Sequence, residues 1–264
     1  MLVIGELLNA SIKSVREAVL NRDQDFVKDL AVKQVAQGAH YLDVNAATGK
    51  EAVQEAGDME WLVQTIQAVV DVPLAIDTTD RAVLEAGLKV HRGRALLNSV
   101  SAEVGRLEPF LELAAAYRCP VIALPIREGI PESAAGRLKV CSEILERSVA
   151  FGLSRDEIYF DALVLPLSVG HTNPSVALET IRAVKQMDGR TVVGLSNVSY
   201  GLPRRDLLNR SFVLLALQAG LDAAILNPLD GELMATVLAG QALLGRDEMC
   251  MVYLRAYRKG KLDK

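Results

Sequence analysis

Short runs of apolar, often β-branched residues recur along the whole chain. Within each run the apolar positions are mostly continuous rather than alternating with polar ones, as in parallel strands that are covered on both faces. The pattern therefore predicts eight strands of a parallel sheet. Their sequences are LVIGE (2–6), YLDVN (41–45), PLAID (73–77), ALLNS (95–99), VIALP (121–125), IYFDALVLP (158–166), VVGLSN (192–197) and AAILNP (223–228).

Segments with the apolar spacing of amphipathic helices follow these strands. Several of them end at glycine, which is common at the C-terminus of a helix. Asp58, which comes directly after Gly57, is the expected N-terminal cap of the second helix. The helices are expected over residues 25–39, 58–70, 80–91, 106–118, 133–152, 173–187, 205–220 and 231–245.

Eight strands, each followed by a helix, predict an α/β protein. No linker or low-complexity stretch interrupts the series, so a single (β/α)8 TIM barrel is the simplest arrangement. One domain is then expected over residues 1–264. A doubly wound open sheet is the alternative, but its nucleotide-binding signature GxGxxG is missing after the first strand.

The composition indicates which kinds of partner the protein is expected to bind and in which compartment it is expected to work. Half of the 264 residues are hydrophobic and the formal net charge is −4, which argues against nucleic acid as the main partner. The three cysteines show no CxxC spacing, which indicates a reducing compartment and a cytoplasmic protein. The segment MLVIGE lacks the basic start of a signal peptide, and no apolar run is long enough to span a membrane.

Polar residues stand at the ends of the predicted strands, where barrels of this type carry their active sites. A single acid or amide at such a position commonly makes a turn or caps a helix. Here seven of the eight strands end in one, which predicts a mouth for a neutral ligand rich in N–H donors. The residues are Glu6, Asn9, Asp43, Asn45, Asp77, Asn98, Asp161, Ser196, Asn197 and Asn227.

The sequence lacks the residues expected for two kinds of catalytic site, a Schiff-base lysine and a metal bound by histidines. No lysine stands at a strand end, so the nucleophile of a Schiff-base aldolase is missing. The histidines at positions 40, 91 and 171 fall at a strand start, a helix end and a loop, and no metal site is expected from them.

The segments IGELLN, LDVN, AIDTTD, LLNSVSAE, YFDALVLPL and VVGLSNVSYGLP resemble, in this order, the pterin-binding methyltransferases. The likeness is greatest to the methyltetrahydrofolate:corrinoid protein methyltransferases, and GLSNVS is its most specific part. The resemblance implies a homodimeric barrel that moves the N5 methyl group of methyltetrahydrofolate to the cobalt of a corrinoid. Because the B12-binding signature DxHxxG does not occur in this chain, the corrinoid is expected on a separate partner protein.

The resemblance also assigns roles to residues. Its pterin contacts fall on Asp77, Asn98, Asp161 and Ser196, and its amide near N5, the catalytic group, falls on Asn197. The pterin edge presents N–H groups that suit carboxylate acceptors. Two further sets are expected, a supporting one of Glu6, Asn9, Asp43 and Asn45, and a pair for the folate tail or the partner, Arg204 and Arg205.

Two other functions fit parts of this pattern. A dihydropteroate synthase shares the barrel and the pterin pocket, but would be expected to carry lysine or arginine after the strand-seven serine, where this chain has Asn197. A non-catalytic folate-binding barrel would use the same acids as the enzyme does. Transfer of the methyl group to reduced cobalamin separates catalysis from binding alone.

Overall fold

The computed structural model describes residues 1–49 and 51–262. Eight strands occur, namely β1 (Leu2–Asn9), β2 (Tyr41–Asn45), β3 (Leu74–Asp77), β4 (Leu96–Ser101), β5 (Val121–Leu124), β6 (Ile158–Asp161), β7 (Arg190–Gly194) and β8 (Ala223–Leu226). The α-helices of these residues are α1 (Lys13–Asn21), α2 (Gln24–Ala36), α3 (Ala52–Gln67), α4 (Arg81–Val90), α5 (Leu107–Tyr117), α6 (Ala134–Ala150), α7 (Asn173–Gln186), α8 (Arg205–Ala219), α9 (Gly231–Leu243) and α10 (Met251–Arg258).

The strands close into one barrel in the order of the sequence, from β1 to β8 and back to β1, and every neighbouring pair is parallel. The predicted (β/α)8 barrel is therefore confirmed. The extent of the domain over residues 1–264 stays a prediction, and Lys50, Asp263 and Lys264 lie outside the described residues. In the part of the chain that is described, no helix is both long and apolar enough to cross a bilayer.

Both faces of the barrel wall are buried in apolar side chains. One cluster fills the interior and includes Ile4, Leu96, Ile122, Tyr159 and Val192. Two larger clusters join the outer face of the strands to the surrounding helices. Because each strand packs on both sides, its sequence reads as a continuous apolar run, which is why the run pattern predicted the strands.

The two-residue alternation of the strands places polar groups directly above the interior cluster. Side chains on a strand point to opposite faces in turn, so the inward position after Ala75 is Asp77 and the one after Leu96 is Asn98. In the same way Asp161 follows Tyr159 on β6. A layer of polar side chains therefore lies above the apolar interior at the C-terminal ends of the strands.

Strand β7 is shorter at its C-terminal end than its apolar run predicts. It ends at Gly194, and the following residues form a 3-10 helix over Leu195–Ser199. The predicted strand end at Asn197 is therefore wrong, because the chain turns into this helix directly after pairing with β8 at Gly194. Ser196 and Asn197 reach the mouth from a helical turn.

The predicted cap at Asp58 is also wrong. Helix α3 begins at Ala52, so Asp58 lies inside it, with its side chain buried. Asp58 Oδ1 lies 2.6 Å from Arg22 Nη2 in an ion pair between α3 and the loop after α1. A buried carboxylate needs such a partner, and the partner comes from tertiary packing rather than from the neighbouring sequence.

Two helical glycines provide a test of how closely the helices approach the barrel. A Cβ on Gly87 of α4 would lie 2.9 Å from Met59 Cγ and 3.1 Å from Ile76 Cγ2. Overpacking of this kind costs about 1–3 kcal/mol. We therefore expect Gly87→Ala to lower the free energy of unfolding, measured by urea denaturation followed by circular dichroism.

Gly57 of α3 is the matched control, because a Cβ there meets nothing within 4 Å. Alanine is preferred over glycine inside a helix by about 0.5–1 kcal/mol, so Gly57→Ala is expected to raise the free energy of unfolding. A change of the same sign in both variants would contradict the packing described.

Candidate functional site

A cavity of about 540 Å³ opens at the C-terminal ends of the strands. Nine of the eleven residues predicted for the site line it, namely Glu6, Asn9, Asp43, Asp77, Asn98, Asp161, Ser196, Asn197 and Arg205. Asn45 is not among the lining residues, and its amide donates to Asp77. Arg204 points outward, with 72% of its side chain exposed, and pairs with Asp206.

Each of two acids on one side of the cavity accepts a hydrogen bond from an asparagine. Asn45 Nδ2 donates to Asp77 Oδ2 at 3.0 Å, and Asn98 Nδ2 donates to Asp43 Oδ1 at 2.9 Å. The first bond follows from the strand register, since Asn45 and Asp77 are Cα partners, whereas the second joins β4 to β2, which are separated by β3. They orient the carboxylates and leave each with acceptor capacity for a ligand.

Hydrogen bonds tie Glu6 of β1 to the 3-10 helix after β7. Ser196 Oγ donates to the Glu6 carboxylate, at 2.8 Å from Oε1 and 3.0 Å from Oε2. Arg205 Nη2 donates to the carbonyl of Ser196 at 2.8 Å, and Arg205 Nε donates to Ser199 Oγ at 3.0 Å. The guanidinium of Arg205 therefore braces the turn that carries Asn197.

Asn197 presents its amide to the cavity. Its side chain is exposed and makes no hydrogen bond among the described residues. The amide lies over Gly194, where an added Cβ would come within 3.1 Å of Asn197 Nδ2. The missing side chain at Gly194 thus makes room for Asn197, whose amide can donate to or accept from a ligand.

The acids of the cavity are harder to ionise than ordinary carboxyl groups. Burial raises the pKa of Glu6 and Asp77, and raises the pKa of Asp161 to about 6. The pKa of Asp43 lies well above its usual range because of burial and the nearby charge of Asp77. Arg205 is the one cationic side chain among the described lining residues. A ligand that offers N–H donors would stabilise the ionised acids.

The arrangement suits a flat, nitrogen-rich heterocycle. Carboxylates and amides can accept from its N–H groups, and the apolar Ile12 and Ile225 contribute surface for its ring. Among residues 1–49 and 51–262, no three His, Cys, Asp or Glu side chains are grouped so that they could hold a metal ion.

Some lining residues were not anticipated, and one anticipated strand-end amide lies elsewhere. Gly194 and Ile225 line the cavity, and both occupy the inward position two residues after Val192 and Ala223 of the interior cluster. The alternation of the strands was a sequence signal for both. Asn227 does not line the cavity, since its Oδ1 accepts from the N–H of Leu229 in its own turn.

Known proteins resemble this chain in sequence over nearly its full length. A protein of Eubacterium limosum named methylcorrinoid:tetrahydrofolate methyltransferase is 33% identical over 99% of this chain and 98% of its own. The methionine synthase of Mycobacterium tuberculosis is 32% identical over 86% of this chain, which corresponds to 20% of that longer protein.

Solved structures share the fold at lower sequence identity. A dihydropteroate synthase of Clostridium difficile, determined in the presence of pteroic acid, superposes with a TM-score of 0.72 at 17% identity, over 92% of this chain and 96% of its own. The corresponding enzyme of Vibrio fischeri gives a TM-score of 0.72 at 17% identity, over 92% and 93%. At this identity the likeness demonstrates the barrel alone.

The family itself is established by a match along most of the sequence. The profile described as pterin binding enzyme covers residues 5–227, which includes β1 to β8 except for the first residues of β1. The same range contains the cavity and every predicted site residue. Together with the relative that is 33% identical, this match shows that the chain belongs to the pterin binding enzyme family.

Proposed function

We propose that this protein is a methyltransferase that moves the N5 methyl group between methyltetrahydrofolate and the cobalt of a corrinoid carried by a separate protein. The observation that carries the proposal is the position of the Asn197 amide beside the buried acids of a single cavity. The chain also belongs to the pterin binding enzymes and is 33% identical to a methylcorrinoid:tetrahydrofolate methyltransferase over 99% of its length.

The acids of the cavity would bind the pterin ring. Its 2-amino-4-oxo pyrimidine edge offers N–H donors, which Asp77 and Asp161 can accept as carboxylates. Asn98 can meet a neighbouring position of the edge with its amide. Charge-assisted hydrogen bonds contribute about 1.5–3 kcal/mol each, so the two acids would supply much of the affinity.

Asn197 would act at the reacting nitrogen. The bond between N5 and the methyl carbon breaks while the reduced cobalt of the partner attacks that carbon, and N5 leaves as a neutral amine if it carries a proton. The Asn197 carbonyl accepts a hydrogen bond from protonated N5. This bond strengthens as the proton arrives, so it stabilises the transition state more than the bound substrate.

The corrinoid protein would dock on a ring of exposed apolar side chains around the mouth, which we call the rim. Six βα connections and the first turn of α3 each contribute one rim residue: Ile12, Val53, Val104, Ile130, Val169, Tyr200 and Leu229. Val104 is 96% exposed. Exposed apolar groups gathered around a ligand cavity are typical of a docking surface.

Arg204 and Arg205 are proposed contacts for the folate tail or the partner.

A homodimer would form through a second apolar surface on the C-terminal helices, which we call the α8–α10 face. Helices α8, α9 and α10 pack against one another in sequence order. Their exposed side chains include Leu207, Leu214, Leu215, Leu243, Leu244, Met251, Val252, Leu254 and Tyr257. Exposed apolar side chains on neighbouring helices are typical of subunit interfaces.

The cytoplasm is the proposed compartment. Cys119, Cys141 and Cys250 are all free thiols, and the first two are buried. Unpaired cysteines are typical of proteins kept under reducing conditions.

Substitution of Asn197 tests its proposed role in methyl transfer. Purified protein is mixed with methyltetrahydrofolate and free reduced cobalamin, and the absorbance of methylcobalamin is followed. Loss of one such transition-state hydrogen bond typically costs a factor of about 10²–10³. Asn197→Ala should therefore lower the rate at least about tenfold, while methyltetrahydrofolate still binds in a calorimetric titration.

Asn227→Ala is the matched control, because Asn227 is an amide at a strand end outside the cavity, and its rate should equal that of the wild type. Gly194→Ala should slow the reaction less than Asn197→Ala does, since the added Cβ would lie 3.1 Å from Asn197 Nδ2 and would shift the amide without removing it. Binding of methyltetrahydrofolate without any methyl transfer by the wild type would instead indicate a non-catalytic folate-binding barrel. A normal rate for Asn197→Ala would remove the proposed role.

Charged substitutions at the rim test the proposed docking of the corrinoid protein. A charge introduced at the centre of a docked interface must be desolvated, which weakens association. We expect Val104→Asp combined with Val169→Asp to lower methyl transfer with a corrinoid protein at least about tenfold. Transfer to free cobalamin should be retained, because neither residue lines the cavity.

Val149→Asp provides the control for this experiment, since Val149 is an exposed valine on α6, away from the βα connections. Equal losses with the free and the protein-bound corrinoid would argue against docking at the rim.

The molecular mass in solution tests the proposed homodimer and the role of the α8–α10 face. Light scattering coupled to gel filtration should give about twice the chain mass of 28.6 kDa for the wild type. Leu215→Glu combined with Leu243→Glu should give a monomer, because charges are depleted from the centres of subunit interfaces. Val149→Glu should remain dimeric. A monomeric wild type would disprove the homodimer.

A further inference from the structure

Arg137 is a buried arginine in the first turns of α6, and only 1% of it is exposed. Its guanidinium binds backbone carbonyls on two different loops. Arg137 Nε donates to Pro131 O at 3.0 Å, in the loop between β5 and α6. Arg137 Nη1 donates to Ala162 O at 2.6 Å and to Leu163 O at 2.9 Å, directly after β6. A buried cation therefore links two of the loops at the mouth.

The second of these loops is the turn that orients Asp161. Leu163 has a φ of +53°, a left-handed conformation that is uncommon for a residue other than glycine. In this conformation the N–H of Leu163 donates to Asp161 Oδ1 at 2.7 Å. Such a conformation persists where surrounding contacts hold it, and the two bonds from Arg137 to this turn are contacts of that kind.

We propose that Arg137 is a positioning residue that holds the turn after β6, and through it directs the Asp161 carboxylate into the cavity. Arg137 itself is not among the residues that line the cavity, so it acts through Asp161 and Leu163. The proposal rests on the proposed function in one respect, namely that Asp161 binds the pterin.

The electrostatics of the site agree with this geometry. Burial raises the pKa of Asp161 to about 6, while the N–H of Leu163 and the charge of Arg137 both act to lower that pKa. From α6 the titratable groups near Asp161 are Arg137 and Cys141, and burial raises the pKa of the Cys141 thiol to about 12, which leaves it neutral. The acids Glu6, Asp43 and Asp77 share the cavity with Asp161.

A charged residue on the buried face of α6 was already visible in the sequence. Arg137 precedes Val140, Cys141 and Ile144 at the spacing of one helix face, and all of them are buried. A cation at such a position requires partners, and these partners are the carbonyls beside the proposed substrate acid.

Titration of Asp161 in the ligand-free protein tests the proposal. The carboxyl carbon of Asp161 is followed by ¹³C NMR as the pH changes, and the signal is assigned with Asp161→Asn. In Arg137→Met the midpoint should rise by about one pH unit, because a nearby positive charge is lost. The same variant should bind methyltetrahydrofolate at least about twofold more weakly at pH 7, because a midpoint near 7 leaves about half of Asp161 ionised, whereas the midpoint of about 6 leaves about nine-tenths ionised.

Further variants keep the test decisive. Arg137→Gln is also neutral and replaces the Met variant if that one fails to fold, which circular dichroism reveals. Arg137→Lys retains the charge and should keep the midpoint near that of the wild type, with partial recovery of affinity. Arg246→Met is the matched control, since Arg246 donates to Leu221 O and Leu217 O, both at 3.0 Å, near the N-terminal end of β8.

The outcomes separate the two proposals. A folded neutral variant at position 137 whose Asp161 titrates as in the wild type would overturn the role of Arg137. So would an equal shift in Arg246→Met, because it would reveal a general effect of lost stability. If the wild type fails to bind methyltetrahydrofolate, the proposed function fails, and the titration still decides the role of Arg137 because it needs no ligand.

Discussion

The closed parallel barrel imposes one constraint on which the rest of the structure depends. Every second residue of each strand points inward, and these positions must fill a space that no water can reach. Apolar side chains such as Ile122 and Val192 fill the lower levels. At the C-terminal ends the same inward series continues with Glu6, Asp77 and Asp161. These acids are buried because they occupy inward positions of the barrel strands.

Burial gives these acids their chemical character. Each of them costs free energy to ionise where it stands, and each keeps one hydrogen bond that orients it. Asn45 supports Asp77, Ser196 supports Glu6, and the N–H of Leu163 supports Asp161, as Asn98 supports the neighbouring Asp43. The acceptor positions of these carboxylates that remain without a hydrogen bond face the cavity. A ligand with several N–H donors on one edge would complete the hydrogen bonds that the protein alone leaves unfilled.

Local sequence predicted all eight strands and the four acids that line the cavity, but it failed at positions where the surrounding structure decides the outcome. The run VVGLSN reads as a strand to its end, yet the chain leaves the barrel at Gly194 and turns into a 3-10 helix. Asp58 reads as a cap because it follows a glycine, yet it pairs with Arg22 from a distant loop. A window of neighbouring residues reveals neither the pairing of Arg22 with Asp58 nor the bonds from Arg205 to Ser196 and Ser199.

The sequence by itself determined the barrel and the level at which its polar residues stand. Both follow from the period of the strands and the placement of acids at their ends, which are properties of short segments. Only the tertiary structure decided which groups meet. It turned Arg205 toward Ser196, set Asn197 over Gly194, and brought Arg137 of α6 against the turn that follows Asp161. These contacts join residues far apart in sequence, and closure of the barrel is what brings them together.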